Sequence, residues 1–76
     1  MPKNLSSKDV GRILRKIGIK LKRRGKEDVY SGEYAGKIRV VIVPRNKHSI
    51  PMGTLSSIWR QAGINRDIAE DIWQNL

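Results

Sequence analysis

Residues 38–63, IRVVIVPRNKHSIPMGTLSSIWRQAG, decide the fold. The stretch opens with the β-branched run Val40-Val41-Ile42-Val43, which Pro44 stops because proline has no amide to give to a ladder. A short basic segment carrying the only histidine follows, Arg45-Asn46-Lys47-His48. Leu55, Ile58, Trp59 and Ala62 then recur at i, i+3, i+4 and i+7, and Gly63 closes the set. The pattern predicts a buried strand, a polar cationic loop and a helix that packs back on the sheet.

Upstream, Ser6-Ser7-Lys8-Asp9 reads as a capping box, flanked by Leu5 and Val10 at the spacing of a hydrophobic staple. Val10, Ile13, Leu14 and Ile17 form one apolar stripe, and Gly18 sits where a left-handed cap ends a helix. The opposite face carries Lys8, Arg12, Arg15 and Lys16. Met1 to Asn4 is expected to be a loose end. Ile19 to Arg24 begins with alternation, apolar in and cationic out, and predicts a half-buried strand. Gly25-Lys26-Glu27-Asp28 is expected to turn. Val29 to Tyr34 is the second strand, in which Gly32 marks a bulge or the start of a longer hairpin. Ala35-Gly36-Lys37 turns again into a third strand, Ile38 to Val43.

Downstream, Pro51 and Gly53 blur the start of the next helix, for which Ser49 and Thr54 are both candidate caps. Asn65 caps a last helix containing Ile68, Ala69, Ile72, Trp73 and Leu76, with Asp67, Glu70 and Asp71 toward its positive end. The expected fold is α+β, in the order α-β-β-β-α-α: a three-stranded antiparallel sheet with helices on one face. Residues 1–76 read as one domain, with no internal repeat or low-complexity tract. Apart from Arg39, both parities of the third strand are apolar. Either that strand makes a contact with a second copy or another protein, or strong twist half-covers it.

Seventy-six residues support one small core, and with no cysteine neither disulfides nor thiolate metal sites can staple it. No apolar run reaches membrane-spanning length and no secretory leader is visible, so the cytoplasm is the expected address. The net charge of +9 is segregated: residues 1–50 hold fourteen Lys/Arg against four Asp/Glu, and residues 51–76 hold two against three. A basic face on a neutral scaffold points to a polyanion, and nucleic acid is favoured over solubility alone. An anionic membrane surface fits less well, because the basic segment is not an amphipathic helix with bulky apolar residues opposite.

The phosphate-contact candidates are Lys20, Lys22, Arg23, Arg24 and Lys26, joined by Arg45, Lys47 and His48 from the later loop. The competing reading is a solvated charged edge that discourages strand-to-strand aggregation. Tyr30 and Tyr34 share a strand face and serve either as stacking platforms for bases or as core. Trp59 and Trp73 lie on apolar stripes and are expected in the core. One histidine and scattered acids do not make a metal-ligand set, and no cofactor motif is visible. Glu27 and Asp28 are neighbours that point apart in an extended chain, and they read as ordinary turn acids.

The chain resembles the HicA-like (YcfA-like) toxins of toxin–antitoxin pairs. The resemblance rests on SSKDVGRILRKIGIK (residues 6–20), the Arg24-Gly25 turn, the strand ending Val43-Pro44 and, most specifically, GTLSSIWRQAGI (residues 53–64). It covers nearly the whole chain. It implies a fold similar to double-stranded-RNA-binding domains, an mRNA interferase activity that needs no metal, RNA as target and a HicB-type antitoxin as partner. At one point the chain departs from the family. Counting from Gly25, the family's catalytic histidine position holds Glu27. Cleavage of RNA by its own 2′-hydroxyl needs a base and an acid, and an unperturbed glutamate has no proton to give at pH 7. RNA binding therefore carries over from the resemblance, whereas cleavage would fall to His48 assisted by Glu27 or Lys26. The reading from another class is a non-enzymatic nucleic-acid-binding or protein-interaction module, without scission.

Overall fold

A computed structural model describes residues 4–76 and has the expected order of elements. In α1 (Ser7–Lys16), the Ser6 hydroxyl accepts from the Asp9 amide at 3.1 Å, and Asp9 Oδ2 accepts from the Ser6 amide at 3.0 Å. Satisfying these otherwise orphaned donors is what starts the helix here. Gly18 ends it with φ at 87°. Val10, Ile13 and Leu14 are fully buried, which stabilises the fold by about 1.5–3 kcal/mol for each large side chain. The loose end expected at Met1 to Asn4 lies largely outside the described residues; Asn4 itself accepts a hydrogen bond from the Ser49 hydroxyl at 3.1 Å.

The sheet is β1 (Lys20–Arg24), β2 (Glu27–Tyr34) and β3 (Lys37–Pro44), antiparallel and in sequence order. Two local expectations are corrected. The first turn contracts to Gly25-Lys26, with the Gly25 amide donating to the Glu27 carbonyl at 3.2 Å. Glu27 and Asp28 are consequently strand residues rather than turn acids, and Asp28 is buried. The irregularity falls in β1, where the pairing steps from Leu21↔Tyr30 to Arg23↔Val29 and leaves Lys22 unpaired. Gly32 stays in register opposite Arg39. It is glycine because β2 passes close to the Gly18-Ile19 backbone, where a Cβ would stand 2.9 Å from the Ile19 Cα.

Residues directly opposite in a ladder share a face. Leu21, Tyr30, Val41 and Val43 thus point to the helices, while Lys20, Arg23, Val29, Ser31, Ile38 and Val40 point the other way. Twist does not cover the apolar excess of β3: Ile38 is 72% and Val40 53% exposed. Among the described residues, the outer edge of β3 is engaged where the Ile42 amide donates to Gln61 Oε1 at 2.8 Å.

Gln61 belongs to α2 (Met52–Ala62), whose N-cap is Pro51 with no side-chain bond, rather than Ser49 or Thr54. Ser49 is occupied with Asn4, and Thr54 lies inside the first turn. Gly63 closes α2 with φ at 82°. In α3 (Arg66–Gln74), Asn65 Oδ1 accepts from the Ile68 amide at 2.9 Å. Leu76 falls beyond its end and is exposed rather than part of the core. α1 and α2 cover the sheet, and α3 packs mainly on the two helices. Trp59 is buried and Trp73 half-buried against the core. Among the described residues no helix is long and apolar enough to cross a membrane.

Candidate functional site

Pro44 ends β3, and two residues later Asn46 adopts φ of 56°, a left-handed conformation that asparagine tolerates. The chain then runs back along the entry to α1. The Ser7 amide donates to the Lys47 carbonyl at 3.0 Å, and the Lys47 amide donates to Ser7 Oγ at 2.9 Å. Ser7 Oγ in turn donates to the Pro44 carbonyl at 2.5 Å. Beyond His48, the Ile50 amide donates to the Leu5 carbonyl at 2.8 Å. His48 therefore sits, exposed, on a loop pinned on both sides. Arg45 Nη1 donates to the Gly25 carbonyl at 3.1 Å and ties this loop to the β1–β2 turn.

Between the loop, α1 and the sheet lies an open cleft of about 710 Å³, lined by Lys8, Arg15, Arg24, Arg45, Lys47 and His48 together with Ser6, Ser7, Asn46, Asp28 and Tyr30. Its positive character comes from side chains. Several amides of the α1 N-terminus are already taken by the capping box and by the Lys47 carbonyl, so the helix end offers an anion little.

Of the residues singled out in the sequence, Arg24, Arg45, Lys47 and His48 come together here. Lys20, Lys22, Arg23 and Lys26 are exposed but do not line the cleft. Lys20 and Arg23 face the open side of the sheet, Lys22 is the unpaired bulge residue, and Lys26 stands at the turn. Glu27 is separated from His48 as well. It lines a second groove with Ile42, Pro44 and Gln61, because consecutive residues of a strand point to opposite faces. The acid that lines the same cleft as His48 is Asp28. Lys8 and Arg15 were not among the candidates, although seven residues apart on a helix they occupy one face, and that spacing was the available signal.

The two tyrosines belong to the core. Tyr30 is 5% exposed and runs beneath Gly11, where any Cβ would collide with its hydroxyl, while Tyr34 packs at the core margin. Burial, and secondarily the Asp28 carboxylate, push the Tyr30 phenol pKa up, against the opposing pull of Arg15 and Arg24. Asp28 is 8% exposed, and its Oδ1 is buried with no hydrogen-bond partner. Chemically, the arrangement can hold a polyanion along the cationic wall, with an imidazole at its rim and a carboxylate and a phenol at its floor.

Residues 7–64 match the family model described as the HicA toxin of bacterial toxin–antitoxin systems. The matched span runs from α1 through α2 and includes every cleft residue except Ser6. No curated protein matches the chain.

Proposed function

The chain belongs to the HicA toxin family of bacterial toxin–antitoxin systems, and from that premise we propose that it binds RNA, with the phosphates held along the cleft between α1, β1 and the β3–α2 loop. The observation that carries the reading is convergence. Five Lys/Arg side chains and His48, drawn from segments up to forty residues apart, line one cleft. Cations collected in this way concentrate a polyanion and release its counterions, which makes binding salt-dependent. Membership of a toxin family implies a cognate antitoxin, which we take to be of HicB type.

A second reading adds strand scission, and the position of His48 favours it. Attack of a 2′-hydroxyl on the adjacent phosphate needs a group to take its proton and a group to protonate the departing 5′ oxygen. Imidazole suits both steps near neutral pH. Arg24 and Arg45 would stabilise the charge that builds on the phosphorane oxygens. Glu27, in the other groove, takes no part in this reading.

The test is incubation of the full chain with a structured mRNA in the presence of EDTA, with binding followed by mobility shift and products by gel. Expected are binding that weakens steeply with salt and fragments ending in 2′,3′-cyclic phosphate that are lost in His48→Ala. Binding that persists in both proteins with no scission by either reduces the function to a binding module. Absence of salt-sensitive RNA binding sinks the proposal.

A further inference from the structure

The cleft contains one group that its positive charge does not explain. Asp28 is an acid at the floor of a basic cleft, with Oδ1 buried and unpartnered. Arg24 faces it across the strands, and Arg15 and Lys8 line the same cleft, yet none of them donates to that oxygen. A buried acceptor left unsatisfied is costly, and in a native fold it calls for a role. Phosphate does not supply one, because a phosphodiester and a carboxylate repel each other. What fits is a hydrogen-bond donor on a ligand whose anionic part the surrounding cations hold. In RNA such donors are the ribose 2′-hydroxyl and the base edges, and only the base edges differ from one nucleotide to the next.

Resting on the RNA-binding reading above, we propose that Asp28 is a specificity-determining residue that accepts from the Watson–Crick edge of a guanine bound in the cleft. Guanine presents two adjacent donors there, N1–H and the N2 amino group, and these match the two oxygens of a carboxylate. Adenine and cytosine place one amino group beside a ring-nitrogen acceptor, and uracil sets N3–H between two carbonyls. In each of those, an acceptor would face the second carboxylate oxygen. Oδ1 is buried in the free chain, so the two-oxygen contact requires the Asp28 side chain to change rotamer on binding and swing its carboxyl into the cleft. Tyr30, two residues on and on the same face of β2, closes the core side.

Fluorescence anisotropy on the full chain tests this with 2′-fluoro oligouridylates, which lack the internal nucleophile and are not cut, carrying or lacking one central guanosine. The guanosine is expected to tighten binding about tenfold, the size of one bidentate base contact. Inosine, which drops the N2 amino group, should keep only part of that gain, and 7-deazaguanosine should keep all of it. Asp28→Asn should abolish the preference, with circular dichroism confirming that the variant is folded. The inosine series is read on the wild-type chain and does not depend on the variant. No guanine preference in the wild type, or an undiminished one in Asp28→Asn, overturns the role of Asp28 and leaves RNA binding standing. No salt-dependent binding to any oligonucleotide overturns both.

Discussion

Arg24 and Asp28 lie directly opposite each other on β1 and β2, and they do so because Lys22 is left out of the register between the strands. Strict alternation from Leu21 would place Arg23 on the helix face and Arg24 on the open one. The bulge inverts that assignment, so Arg24 enters the cleft with Asp28 and Tyr30 while Arg23 faces the open side. A single extra residue decides which of two adjacent arginines can meet a ligand.

The two arginines should therefore separate experimentally. Arg24→Ala is expected to weaken RNA binding and to lower the slope of log affinity against log salt by about 0.7, the contribution of one phosphate on a single strand. Arg23→Ala should leave the slope near the wild-type value. Salt titrations of both variants on the same oligonucleotide make the comparison, and equal effects would contradict the cleft as the binding surface.

Ser7 holds the His48 loop with three hydrogen bonds, two through its hydroxyl and one through its amide. Ser7→Ala removes the hydroxyl pair and leaves the Lys47 amide and the Pro44 carbonyl without that partner. The loss should be about 1–2 kcal/mol of stability, as expected for two partly exposed bonds, read by urea unfolding. Faster hydrogen exchange at the Lys47 amide and weaker RNA binding should accompany it. Ser6→Ala, which breaks the capping box instead, should cost about 1 kcal/mol with less effect on that amide.

The parts of the fold legible in the sequence are those encoded locally. Ser6 and Asp9, Gly18, Gly63 and Asn65 mark helix ends through their own chemistry, and each does so in the structure. The strands follow from β-branched and alternating runs. What was not legible depends on partners distant in the chain. The bulge at Lys22 carries no glycine to announce it, and Gly32, which looked like a bulge, is instead a close approach to Gly18. Asp28 looked like a turn acid because nothing near it shows that Gly25-Lys26 alone makes the turn. Of the cleft's cationic wall, Arg24, Arg45, Lys47 and His48 were visible in the sequence as a basic strand end and a basic loop. Lys8 and Arg15 join it only once α1 packs across β1.

The glycines give a stability contrast. At Gly32 a side chain would meet backbone rather than a flexible side-chain end, so Gly32→Ala should destabilise by about 1–3 kcal/mol, in the range of core overpacking. At Gly53, within α2, a methyl group meets nothing within 4 Å. Gly53→Ala should accordingly stabilise by about 0.4–1 kcal/mol through the gain in helix propensity and the less flexible unfolded chain. Thermal or urea unfolding of the two variants should move in opposite directions.

Tyr30 provides a test in the alkaline range. Its phenol pKa is raised in the folded chain, first by burial and then by Asp28, above the ordinary value of 10.0. The folded state thus holds that proton more tightly than the unfolded one. The associated stability is fully present below the unfolded pKa, is lost as pH rises through the folded pKa, and is absent above it. Tyr30→Phe keeps the ring in the core and removes the titration. The stability difference between wild type and this variant should stay constant with pH up to about 10 and then shift against the wild type. Asp28→Asn should shrink that shift without abolishing it, because burial, the larger cause, remains. A wild-type and Tyr30→Phe difference that stays level through the alkaline range would mean that the phenol is not confined between α1 and the sheet as described.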